Sequence, residues 1–84
     1  MISFEEAGGD DYLHWQLTDK AVLKKINNLI RDIGRDPFDG IGKPEQLKQN
    51  LSGYWSRRIT DEHRIVYLMD GDDIIIAQCR GHYD

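Results

Sequence analysis

With 84 residues the chain has room for one domain, spanning 1–84, and a small core that removes roughly 60–65 % of the unfolded surface from water. A composition of 39 % hydrophobic and 31 % charged residues excludes a disordered polymer. No apolar run, Ile74-Ile75-Ile76-Ala77 included, approaches the ~20 residues that a membrane-spanning helix needs. A net charge of −4 excludes a general nucleic-acid binder that works by neutralising phosphates in bulk.

The charge is unevenly distributed. Residues 1–19 carry Glu5, Glu6, Asp10, Asp11 and Asp19 with no Lys or Arg, whereas residues 43–58 carry Lys43, Lys48, Arg57 and Arg58 against Glu45 alone. A locally cationic face on an acidic molecule is compatible with that pattern. No basic–apolar–small pattern opens the chain, and the lone Cys79 reads as a buried thiol of a reducing compartment. The expected location is the cytoplasm, with no membrane partner.

In chain order, residues 1–4 read as a short strand. Gly8-Gly9 is expected to break the chain before a helix that starts at the paired acids Asp10-Asp11. Thr18 reads as the N-cap of a second helix, whose Val22, Ile26, Leu29, Ile30 and Ile33 form one apolar stripe at helical period. Lys24, Lys25, Arg31 and Asp32 fill its outer face, and Gly34 followed by Pro37 is expected to end it. Pro37, Gly40, Gly42, Pro44 and Gly53 make residues 35–53 a long irregular connection, of the kind that often carries function.

The last third is β-like. Residues 54–59 and 64–69 read as strands, Asp70-Gly71-Asp72-Asp73 as a hairpin turn, and residues 74–80 as a β-branched central strand. The predicted fold class is α+β, with a short N-terminal strand and two helices packed on a mainly antiparallel twisted sheet. A two-residue turn at Gly71-Asp72 pairs Arg64 with Cys79. That register puts Arg64 and His82 on opposite faces unless a bulge intervenes or His82 lies beyond the regular strand.

The residues that suit chemistry are scattered along the sequence. The terminal Arg80-Gly81-His82-Tyr83 offers a histidine, the side chain most easily poised to give up a proton near neutral pH. Glu45 sits between Lys43 and Lys48 in the long connection, and Arg57, Arg58 and Arg64 lie on neighbouring strands. RNA scission by the internal 2′-hydroxyl needs a base, an acid and cations around the phosphorane, and these residue types supply all three. His14, His63 and His82 show no metal-ligand spacing, and no phosphate-binding glycine loop is present, so no metal or cofactor is expected.

Several blocks together resemble the YoeB toxins of YefM–YoeB toxin–antitoxin systems, within the RelE-like mRNA interferases. They are residues 10–15 (Asp-Asp-Tyr-Leu-His-Trp), 36–38 and 40–45, the specific run 51–59 (Leu-Ser-Gly-Tyr-Trp-Ser-Arg-Arg-Ile), 62–67, and Arg80, His82 and Tyr83. The resemblance covers nearly the whole chain. It implies an endoribonuclease that cuts mRNA in the ribosomal A site, amid ribosomal RNA, and is silenced by a YefM-like antitoxin. It also implies a homodimer and a metal-free mechanism.

Carried over by motif, Glu45 resembles the general base, His82 the general acid and Arg64 the phosphate stabiliser, with Tyr83 shaping the site. Lys43, Lys48, Arg57 and Arg58 are the candidates for holding RNA. Three features depart from the family pattern: Gly8-Gly9 where a tryptophan usually stands, Gly81 in place of an aromatic residue, and Asp84 after Tyr83. The two glycine departures motivate an alternative, a catalytically weak antitoxin-binding and co-repressor module of the same fold.

Overall fold

The computed structural model describes residues 1–82. The order of elements is β1 (Ile2–Phe4), α1 (Glu6–Thr18), α2 (Lys20–Arg35), β2 (Glu45–Gln46), a 3-10 turn (Gln49–Leu51), β3 (Trp55–Arg58), β4 (Arg64–Asp70) and β5 (Asp73–Gln78). The five strands form one sheet in the order β1-β5-β4-β3-β2. β1 runs parallel to β5, and the remaining pairs are antiparallel. The fold is therefore α+β, with two helices on a five-stranded mixed sheet.

The helical stripe behaves as its period demands. Val22, Ile26, Leu29, Ile30 and Ile33 are all buried, and they pack with Trp15 of α1 against Ile65, Tyr67, Ile74 and Ile76 of the sheet. Each such aliphatic side chain contributes about 1.5–3 kcal/mol by leaving water.

Four local expectations are corrected. Gly8 and Gly9 do not break the chain, because α1 begins at Glu6 and runs through both. A Cβ at Gly8 would fall 2.3 Å from the carbonyl oxygen of Ile76. The glycine lets the helix backbone rest directly on β5, and that contact offsets its poor helix propensity. The N-cap of α2 is Asp19, whose Oδ1 accepts from the N–H groups of Ala21 and Val22 at 3.1 Å. Thr18 instead ends α1, its Oγ1 donating to the carbonyl of His14.

Gly34 lies inside α2, which continues to Arg35 and is capped by the extended Asp36. The connection over 35–53 is not wholly irregular either, since it contains β2 and the 3-10 turn.

The register question has two answers, a bulge within β5 and the end of the strand before His82. The hairpin pairs Asp70 with Asp73 and Tyr67 with Ile76, but Val66 with Gln78, so Ala77 is the extra residue. One added residue inverts the alternation of everything beyond it. The ladder ends at Gln78, and beyond it the N–H of Arg64 donates to the carbonyl of Gly81 at 2.9 Å, so His82 lies past the regular strand.

Candidate active site on the helix-free face

Alternation along β3 and β4 divides the cationic residues between two faces. Arg57 lies on the helix side with Ile65 opposite it, while Arg58 lies opposite Arg64 on the other face. On that helix-free face Glu45 opposes Ser56, Ser56 opposes Val66, and Val66 opposes Gln78, forming one row across four strands. Arg58 and Arg64 form the next row. Directly opposed side chains share a face with their Cβ atoms about 4.5–5.5 Å apart. Glu45 and Arg64 are thus two strands and two residues apart, about 12 Å of backbone from strand spacing and rise.

Glu45 and Arg58 are exposed, and neither side chain has a hydrogen-bond or ion-pair partner among the described residues. Lys43 and Lys48, on either side of Glu45, are likewise exposed without a partner. The chain is delivered to this edge by a sharp turn in which Gly42 has φ +80° and Lys43 φ +54°. A Cβ at Gly42 would meet the carbonyl oxygen of Arg58 at 3.0 Å, and the same close approach allows the N–H of Arg58 to donate to the Gly42 carbonyl at 2.7 Å. An open hollow of about 270 Å³ is lined by residues 45–51.

Arg64 is half-buried and anchored at one nitrogen. Its Nη1 donates to the carbonyls of Thr60, Asp61 and His63 at 2.7, 3.2 and 3.1 Å. Its Nε and Nη2 have no hydrogen-bond acceptor among the described residues. His82 is exposed just beyond the segment bonded to Arg64. Tyr83 and Asp84 lie outside the described residues, and with them the expected role of Tyr83 in shaping the site.

The assignment of Arg57 to RNA is corrected. Its side chain is fully buried, with Nη1 2.6 Å from Oδ2 of Asp32. Its Nη2 donates to the carbonyls of Asp36 and Asp39, its Nη1 also to that of Ile41, and its Nε to the hydroxyl of Tyr67. That hydroxyl in turn donates to the Pro37 carbonyl at 2.6 Å. Arg57 therefore fastens the start of the connection that carries Lys43 and Glu45. Asp32, expected on the outer face of α2, is its counter-ion. Hydrogen bonds first from Arg35, then from Arg57 and the Ile41 N–H, hold the Asp32 carboxyl down to about 2.

A second set of side chains that sequence reasoning left without a role fixes the C-terminal segment. Trp15 Nε1 donates to the Cys79 carbonyl at 2.8 Å, and the Cys79 N–H donates to Oδ2 of Asp11 at 3.1 Å. The Gly81 N–H donates to Nδ1 of His63 at 2.8 Å. The one sequence signal for this clamp is that a buried tryptophan needs an acceptor for its N–H. Cys79 itself is buried, and burial, with Asp11 nearby, pushes its thiol up to about 12, so it is no nucleophile.

Comparison with known proteins shows the family. Residues 4–83 match the family described as the YoeB-like toxin of bacterial type II toxin-antitoxin systems. The chain is 61 % identical over 82 residues to Toxin YoeB of Escherichia coli (strain K12), covering 98 % of each. Its fold matches a YoeB/ParE toxin from Agrobacterium tumefaciens with a TM-score of 0.95 at 50 % identity, covering 98 % of both chains. Two Staphylococcus aureus structures are similar as well. A YoeB–YefM complex has a TM-score of 0.93 at 49 % identity, covering 99 % of this chain and 97 % of the other. A YoeB dimer has a TM-score of 0.91 at 51 % identity, covering 98 % and 95 %. The chain belongs to the YoeB-like toxins of bacterial type II toxin–antitoxin systems.

Proposed function

We propose that the protein is a ribosome-dependent endoribonuclease that cleaves mRNA in the A site by attack of the 2′-hydroxyl. The observation that carries this reading is the direct cross-strand pairing of Arg58 with Arg64, one row from Glu45, with no acid among the described residues bound to any of the three cations Arg58, Lys43 and Lys48. Like charges directly opposed on a sheet are destabilising. An anion lying across them relieves that repulsion, and a phosphodiester is such an anion.

Glu45 takes the 2′-hydroxyl proton as the 2′-oxygen attacks phosphorus. Arg64 donates from Nε and Nη2 to the phosphorane as negative charge builds. His82 gives its proton to the departing 5′-oxygen. The products are a 2′,3′-cyclic phosphate and a 5′-hydroxyl, and the scheme needs no metal cofactor. Lys43, Lys48 and Arg58 hold the RNA backbone, and Tyr83 completes the site. A ribosome that presents mRNA and ribosomal RNA to this small cationic face removes the need for a basic protein, consistent with a net charge of −4.

The same reading gives the protein a YefM-like antitoxin and a homodimeric state, as named for the Staphylococcus aureus relatives, and a cytoplasmic location. The two glycine departures that favour a non-catalytic module both fit the active reading. Gly8 seats α1 on β5, and Gly81 is bonded at both its N–H and its carbonyl.

The test is cleavage by the purified protein of a message on translating ribosomes, beside naked RNA in EDTA, with mapping of the cut and of the product ends. Expected are cuts within the A-site codon and a 2′,3′-cyclic phosphate. A 3′-hydroxyl end, or equal cutting of naked RNA, would contradict it.

A further inference from the structure

We infer that His63 is a positioning residue that fixes the C-terminal segment so that His82 is presented beside Arg64. The inference rests on the reading of His82 as the general acid. Residues 79–82 lie past the end of β5, where the regular ladder no longer holds the backbone. His82 is exposed, and its own side chain has no partner among the described residues. Its placement therefore depends on the residue before it. Gly81 lacks a side chain with which to pack, yet both of its backbone polar groups are engaged: its N–H by Nδ1 of His63 at 2.8 Å, and its carbonyl by the N–H of Arg64 at 2.9 Å.

The His63 ring is itself held. It meets Trp15 edge to face with centroids 4.7 Å apart, and Trp15 Nε1 donates to the Cys79 carbonyl, so one side-chain pair grips the segment at two points. The accepting Nδ1 places the ring proton on Nε2. The carbonyl of His63 also accepts from Nη1 of Arg64. One residue thus ties together the guanidinium and the segment that carries the imidazole. A displacement of about 1 Å in such a group lowers a rate by up to about 100-fold.

Two variants separate positioning from packing. His63→Phe keeps a ring against Trp15 but offers no acceptor, and His63→Asn places Oδ1 where Nδ1 lies. Single-turnover cleavage on programmed ribosomes is measured for both beside wild type and His82→Ala, with melting temperatures and the exchange rate of the Gly81 amide. Expected for His63→Phe is a saturating rate lower by about 10- to 100-fold at an unchanged half-saturating concentration, with faster Gly81 exchange. His63→Asn restores both the rate and the amide protection.

A wild-type saturating rate for His63→Phe, or a His63→Asn variant as slow as His63→Phe, overturns the inference while His82→Ala stays inactive. Undiminished cleavage by His82→Ala overturns instead the acid assignment, and the inference falls with it.

Discussion

Arg57 and Arg58 are adjacent in the sequence and lie on opposite faces of β3. The first is fully buried against Asp32 and four loop or tyrosine oxygens, and the second is exposed and paired across the sheet with Arg64. Two identical side chains one position apart thus have different physical roles, and replacing each by alanine tells them apart. Arg57→Ala strands the Asp32 carboxylate and the carbonyls of the 36–41 turn, and it destabilises the fold by about 3 kcal/mol, as for other broken buried pairs. Arg58→Ala leaves stability within about 0.5 kcal/mol, as for an exposed site, and lowers cleavage. Denaturant titration beside a cleavage assay checks both halves.

Asp32 makes stability depend on acid. Its folded carboxyl is held down to about 2 from an ordinary 3.8, so the folded state binds fewer protons than the unfolded one in that interval. The resulting stabilisation is complete above pH 4 and is lost as pH falls through about 2. Melting temperature against pH should drop across this window more steeply in wild type than in Asp32→Asn, which melts lower at neutral pH because Arg57 has lost its counter-ion. Parallel curves would show that the ion pair does not contribute.

Gly8 and Gly9 separate close contact from helix propensity. A methyl group at Gly8 collides with the Ile76 carbonyl, whereas at Gly9 it lies 3.7 Å from the Phe4 Cβ, an ordinary contact. Gly8→Ala is expected to destabilise by about 1–3 kcal/mol through overpacking. Gly9→Ala should stabilise by up to about 1 kcal/mol through propensity. Chemical denaturation of the two variants gives opposite signs.

The proposed chemistry makes its own demand. Glu45→Gln and His82→Ala each remove one proton transfer, and each should slow ribosome-dependent cleavage by about 10²–10⁴-fold. Circular dichroism and melting temperature should stay near wild type, because both side chains are exposed and unbonded among the described residues. Arg64→Ala should be as slow, with some loss of stability from the three loop carbonyls it releases.

What the residue order determined by itself is whatever repeats at short range. The stripe from Val22 to Ile33 marks α2 because burial and helical period are both local properties. Asp70-Gly71-Asp72-Asp73 marks the hairpin because two-residue turns have their own chemistry. The family motifs mark the lineage.

What only the tertiary structure decided was which polar group meets which. Arg57 and Arg58 look alike until β3 is laid against β4 and α2. Gly8 reads as a helix breaker until the backbone of β5 lies against it, and Thr18 competes with Asp19 for a cap that only geometry awards. The pairing of Val66 with Gln78 rests on one bulged residue, Ala77, which has no sequence signature. Side-chain alternation along a strand has a period of two, so a single inserted residue reverses which face every later side chain occupies.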